Sequence, residues 1–145
     1  MSIRQATGEW HGNLKDGSGI LSVESGVLKG TAYDFRSRFE EGPNTNPEEL
    51  LGAAHAGCFS MALSHGLSEA GFVPNFVRTT AKVKLEPVEG KPTVSSIELD
   101  CEADVPNISA EQFEQIANDT KAGCPISRAL SVPITLNAKL AASAG

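Results

Sequence analysis

The chain has 145 residues, 40% of them hydrophobic and 21% charged, and a net charge of -6. These values fit one globular domain over residues 1–145, with a modest core. No Lys/Arg-rich run occurs, and there is one Trp and one Tyr, so the electrostatic footprint of a nucleic-acid binder is missing. No stretch approaches the ~20 apolar residues that cross a bilayer, and "MSIRQATGEWHG" has no signal-peptide core. A cytoplasmic protein without a membrane partner is expected. Its three cysteines, Cys58, Cys101 and Cys124, are an odd number, which argues against a secreted disulfide framework.

The first 40 residues read as strands. "GILSVESGVLKG" places apolar residues on either side of turn-forming Ser25 and Gly26. "YDFRSRFE" alternates, with Tyr33, Phe35, Ser37 and Phe39 on one face and Asp34, Arg36, Arg38 and Glu40 on the other. Arg38 is therefore expected on the polar face of a strand. "EEGPNTNPEEL" is a turn and then a helix start, with Asn46 as N-cap, Pro47 at the first helical position and Glu49 at a capping-box-like spacing. The helical pattern continues to Ala70, where Gly71 stops it. A helix of that length extends about 36 Å. It is apolar nearly all round and should be buried on most sides. Gly52, Gly57 and Gly66 weaken it, with a break or kink expected near Gly57.

Strands return in "RTTAKVKLEPV", where Thr79, Ala81, Val83 and Leu85 share a face. "EGKP" makes a turn. "SIELDCEADV" then alternates Ile97, Leu99, Cys101, Ala103 and Val105 against four carboxylates. A second helix begins at Ser109, with Gln112 three residues on, and ends near Gly123. Cys124 and Pro125 open a short helical turn, and "VPITLNAKLA" is a closing strand. This order is α+β, with antiparallel sheets packed on helices. One subunit of this size is too small to cover so apolar a helix, so a homodimer that buries it is expected.

The cysteines differ in local context. Cys101 lies on the core face of its strand and reads as a small buried hydrophobe. Cys124 sits at an N-cap, where backbone N–H groups favour a thiolate; a small residue fitting a tight turn explains the same placement. Cys58 has His55 at i−3 and small Ala54 and Ala62 at i±4. That leaves room at the sulfur for a ligand, and it equally suits close helix packing. His55 has three readings: base, metal ligand or core histidine. His55, Cys58 and Cys124 do not have the spacing of a recognised zinc motif.

The segments "ESGVL", "RFEEG", "TNPEELLGAAHAGCFSMALS", "EAGF" and "KAGCPIS" together resemble the OsmC/Ohr family of thiol peroxidases. They occur in family order and cover most of the chain. His55 matches the OsmC branch, since the Ohr branch tends to carry an aromatic residue there. The resemblance implies an OsmC-like fold in which antiparallel sheets wrap long central helices in an intertwined homodimer, with active sites at the dimer interface. It implies reduction of organic hydroperoxides, and less well of hydrogen peroxide, with no metal, haem or flavin. Cys58 matches the peroxidatic cysteine and Cys124 the resolving one. Arg38 matches the arginine that contacts the reactive thiolate, and Glu48 the glutamate that holds that arginine. Cys101 matches no catalytic position.

On this reading Arg38 stabilises the Cys58 thiolate and Glu48 fixes the guanidinium by a bidentate pair. Cys58 passes through a sulfenic acid to a Cys58–Cys124 disulfide, which a dithiol reductant, of lipoyl type in the Ohr branch, opens by exchange. On a straight helix Glu48 and Cys58 are about 15 Å apart and point roughly 80° away from each other. Either the helix breaks between Gly52 and Gly57, or Arg38 and Glu48 serve the Cys58 of another subunit; the second is the reading adopted. Two rivals remain: a redox-sensing or structural stress protein that forms the disulfide without turnover, and a cysteine hydrolase using His55 as base. The second lacks an orienting Asp or Asn and an oxyanion-hole loop.

Overall fold

The computed structural model describes residues 1–141. Two compact units divide the chain, one from Met1 to Leu50 and one from Leu51 onward.

The first unit holds a three-stranded antiparallel sheet in the order β1 (Ala6–His11), β2 (Ser18–Val23), β3 (Thr31–Tyr33). The expected strand over "YDFRSRFE" ends at Tyr33. Phe35–Phe39 is instead a short helix, α1, and Arg38 stands on it. Asp34 decides the matter, because its side chain accepts a 2.8 Å hydrogen bond from the Ser37 N–H and so caps a helix. Phe35 and Phe39, four residues apart, then meet with ring centroids 5.1 Å apart. An alternation this short also fits one helical turn.

α2 (Pro47–Glu69) bridges the boundary between the units and is unbroken. The Asn46 side chain caps it by accepting from the Glu49 N–H at 2.7 Å. At the other end Phe72 N–H reaches Leu67 O and Gly71 N–H reaches Ser68 O, with Gly71 at φ +93°. This is a complete Schellman stop, which a left-handed glycine makes possible. The break expected near Gly57 does not occur. Gly52 and Gly66 permit close packing instead: an added Cβ would meet Val83 at 3.3 Å and Ile116 at 3.3 Å, respectively. Gly57 is exposed with nothing near it, and its cost of about 1 kcal/mol is absorbed by the rest of a long helix.

In the second unit β4 (Phe76–Val88) and β5 (Lys91–Asp104) form a hairpin closed by Glu89 and Gly90, both at positive φ. The turn is thus the two-residue primed type that matches strand twist, and Lys91 and Pro92 already belong to β5. β5 also pairs with β6 (Ile134–Leu140), and that pairing is parallel. The sheet is therefore mixed, contrary to the all-antiparallel expectation. The reason is the connection: α3 (Ala110–Gly123) and α4 (Pro125–Ala129) carry the chain back to the end where β5 began, as a parallel neighbour requires. α3 starts at the expected place with a full capping box between Ser109 and Gln112.

Phe59, Leu63 and Leu67 of α2 pack with Ile97, Leu99, Cys101 and Ala103 of β5 and with Phe113 and Ala117 of α3. These positions recur at three or four residues on the helices and at two on the strand, so one face of each element is dry. The opposite face of α2 is not buried within the chain: Ala53, Ala54, Gly57 and His65 are exposed, and Met61 is 78% exposed. Among the described residues no helix is long and apolar enough to cross a membrane.

Candidate active site

The first unit supplies a braced cation. Arg38 donates from Nε at 3.0 Å and from Nη2 at 2.9 Å, both to Oε1 of Glu48. The pair is not the two-oxygen fork expected from the sequence. Both donors converge on one carboxylate oxygen, and the buried Oε2 has no hydrogen-bond partner among the described residues. Glu48 is nearly buried, whereas the Arg38 side chain is 40% exposed, so the guanidinium keeps donors for a further acceptor.

A dense local network sets where Arg38 stands. Asn44 donates to Asp34 and its own N–H reaches Ser37 Oγ, while the Asn46 side chain donates to Ser37 O. These bonds staple α1 to the loop that starts α2. The N–H of Ser37, followed by the other partners of Asp34, holds that carboxyl below its ordinary range.

The second unit supplies the thiols. Cys58 lies midway along α2 and is part-buried; Cys124 is 1% exposed. Burial pushes the Cys58 thiol up, the nearby Ile126 backbone pulls it down, and the neighbouring Cys124 thiol raises it again. Cys124 thus stands near enough to oppose ionisation of Cys58, although the two lie far apart in sequence.

Pro125 explains the position of Cys124. A residue before proline is driven out of the helical region, and Cys124 is extended at φ -67°, ψ 143°. It therefore ends α3 and begins α4, with Pro125 at the favoured first position of α4. Its sulfur makes no cap bond to the backbone; it lies 3.1 Å from Ser127 Oγ. Ser127 in turn lies 2.8 Å from Nε2 of His55. His55 is fully buried, and burial holds its imidazole below the ordinary value, which keeps it neutral. It is a core histidine with one polar partner.

Cys101 is buried on β5 as expected, and its thiol is pushed up chiefly by burial. A cavity of ≈ 720 Å³ opens near it, lined by Arg78, Asp100, Glu102, Glu114, Asn137 and Lys139 among others. Neither Cys58 nor Cys124 lines it, and its charged walls do not suit an apolar ligand. Among the described residues no three His, Cys, Asp or Glu side chains are grouped to hold a metal.

The structure thus brings Arg38 to Glu48 in one unit, and Cys58 to Cys124 in the other. Ser127 had not been singled out from the sequence. The signal was the serine three residues after Cys124 at a helix start, but its partner His55 is 72 residues away and no local pattern marks that contact.

Comparison with known proteins gives a consistent result. The family model described as OsmC-like protein matches residues 40–139. Peroxiredoxin OsmC of Escherichia coli strain K12 is 48% identical over 137 residues, covering 94% of this chain and 96% of that protein. The organic hydroperoxide resistance protein OhrB of Bacillus subtilis superposes with a TM-score of 0.69 at 24% identity, covering 93% of this chain and 98% of that one. An OsmC-like protein from Mycoplasma pneumoniae gives 0.75 at 16% identity, covering 97% and 99%; at these identities the two structures speak to fold alone. With Cys58, Cys124 and the Arg38–Glu48 pair all inside or beside the matched span, the chain belongs to the OsmC-like protein family.

Proposed function

We propose that this protein is a cysteine-based peroxidase that reduces organic hydroperoxides, and hydrogen peroxide less well, in the cytoplasm. The observation that carries the reading is the pairing of two unoxidised thiols, Cys58 and Cys124, from distant segments in an apolar setting. The name of the 48% identical relative, a peroxiredoxin, supports it.

The Cys58 thiolate attacks the distal peroxide oxygen; the O–O bond breaks, the alkoxide takes a proton and leaves as alcohol, and Cys58 becomes a sulfenic acid. Cys124 then attacks that sulfur and water leaves. An external dithiol opens the disulfide by exchange and ends as a disulfide itself. The apolar residues about Cys58 favour peroxides with hydrophobic tails over small polar ones.

Burial and Cys124 both oppose ionisation of Cys58, so the reaction needs a cation at the sulfur. Arg38 is always charged and, held by Glu48, keeps donors for another acceptor. We assign it to the Cys58 of a second copy. A homodimer of single-domain subunits is built through the exposed face of α2, where Ala53, Ala54 and Gly57 allow two helices to approach closely and Met61 adds apolar area.

The test is peroxide consumption with cumene hydroperoxide and a dithiol, for wild type, Cys58→Ser and Cys124→Ser. Turnover in the wild type that vanishes in Cys58→Ser is expected. Unchanged consumption by Cys58→Ser would sink the assignment. A single stoichiometric oxidation with every dithiol tried would make the protein a redox sensor.

A further inference from the structure

We propose that Ser127 and His55 form a reversible proton relay for Cys124, Ser127 as a catalytic residue and His55 as the positioning residue behind it; the proposal rests on the two-cysteine peroxidase reading. Three side chains form one line: Cys124 Sγ to Ser127 Oγ at 3.1 Å, and Ser127 Oγ to His55 Nε2 at 2.8 Å. They come from α2, the α3/α4 junction and α4, and their exposures are 0% for His55, 1% for Cys124 and 7% for Ser127.

The resolving step needs such a device. Cys124 must lose a proton as it attacks, yet at 1% exposure it has no direct route to solvent. A buried hydroxyl and imidazole cost free energy unless they are bonded, and an apolar pair of similar volume would fill the same core space. The hydroxyl has one proton, so Ser127 donates to one neighbour and accepts from the other. When the thiol donates to Ser127 Oγ, the hydroxyl donates to His55 Nε2. His55 starts neutral, since burial disfavours its imidazolium; a ring lone pair can receive that proton, and the buried charge makes the ring ready to give it up again.

Nδ1 of His55 is buried and has no hydrogen-bond partner among the described residues. In triads of the Ser-His-Asp kind a carboxylate on Nδ1 stabilises the imidazolium, and the ring takes a proton and later returns it. This ring has no such carboxylate among the described residues, so its imidazolium is held less firmly and gives the proton back when Cys124 becomes a thiolate. On attack, the S–S bond forms and the Cys58 S–O bond breaks. The Cys124 proton passes through Ser127 to His55, and the departing hydroxide takes a proton from solvent to become water. When the external dithiol later attacks Cys58, the S–S bond breaks and Cys124 leaves as thiolate. The imidazolium then returns its proton through Ser127, and His55 ends neutral as it began.

The test separates the two half-reactions in the full chain. One equivalent of cumene hydroperoxide is added to the reduced protein, and Cys58 sulfenic acid (dimedone adduct by mass spectrometry) and the disulfide are followed in time. Ser127→Ala and His55→Gln should slow disulfide formation about 100-fold, within the usual range for acid–base assistance, so that sulfenic acid accumulates. The first step should be slowed far less. Gln retains an acceptor of similar reach to Nε2 but cannot take up a proton, so a merely structural role would leave His55→Gln with wild-type disulfide kinetics. Ser127→Thr, which restores the hydroxyl, should recover most of the rate. Disulfide formation at the wild-type rate in Ser127→Ala and His55→Gln would overturn the relay. Neither sulfenic acid nor disulfide in the wild type after peroxide addition would overturn the peroxidase reading itself, and the relay with it.

Discussion

The two units of this chain differ in what they hold. Residues 1–50 hold a braced, partly exposed guanidinium and no cysteine; the residues from Leu51 onward hold Cys58, whose ionisation burial and the neighbouring Cys124 oppose. A cation in a dry core would cost several kcal/mol in desolvation, whereas a thiol is stable there and unreactive. Under the proposed pairing across two copies, the reactive thiolate would exist only in the assembled particle.

Removing the nucleophile should have the largest effect. Cys58→Ser should reduce peroxide turnover to background, while Cys124→Ser should allow one fast oxidation and then stop. Next comes the cation. Arg38→Met should raise the Cys58 thiol pKa and lower the rate at neutral pH by about 10- to 100-fold, since one pKa unit is a tenfold change in thiolate. Ultraviolet thiolate absorbance against pH measures it directly. Arg38→Lys should fall between, because a point charge cannot serve Glu48 and sulfur through one planar fork. Glu48→Gln should cost less, roughly several-fold, by loosening a guanidinium that keeps its charge.

A smaller effect lies in pH and stability. The folded-state value of His55 is depressed by burial, so below the ordinary imidazole range of about 6.5 the unfolded chain binds the proton and the folded chain does not. Stability is therefore complete above that range and declines as pH falls through it toward the folded value. Urea midpoints for wild type and His55→Gln between pH 7 and pH 5, about the imidazole range, should show a steeper decline in the wild type. The smallest effect is the control: Cys101→Ala should leave turnover unchanged and cost about 1 kcal/mol of stability for the lost buried sulfur.

Much of this arrangement was legible in the sequence where the signal was local. Asn46, Pro47 and Gly71 bounded α2, and the alternation about Cys101 placed it in the core. The errors lie where local signals conflict or carry no direction. "DFRSRF" suits both a strand and one helical turn, and the Asp34 cap decided between them. β6 alternates equally well in either sense, and its parallel pairing follows from the length of the α3–α4 crossover. Gly57 read as a break because helix propensity takes no account of the packing that holds the rest of α2. Ser127 escaped notice because its meaning depends on a histidine in another helix.

Complementation between copies shows directly whether Arg38 of one chain serves Cys58 of another. Two differently tagged chains, one Arg38→Met and the other Cys58→Ser, are co-expressed, and the mixed dimer is purified and assayed with cumene hydroperoxide and a dithiol. Each homodimer should be nearly inactive. If the guanidinium of one copy serves the thiol of the other, a two-fold assembly of the mixed kind contains one intact site, so about half the wild-type activity per dimer is predicted. A mixed dimer as inactive as its parents would show that Arg38 acts within its own chain, or not on Cys58 at all, and would rule out a site shared between copies.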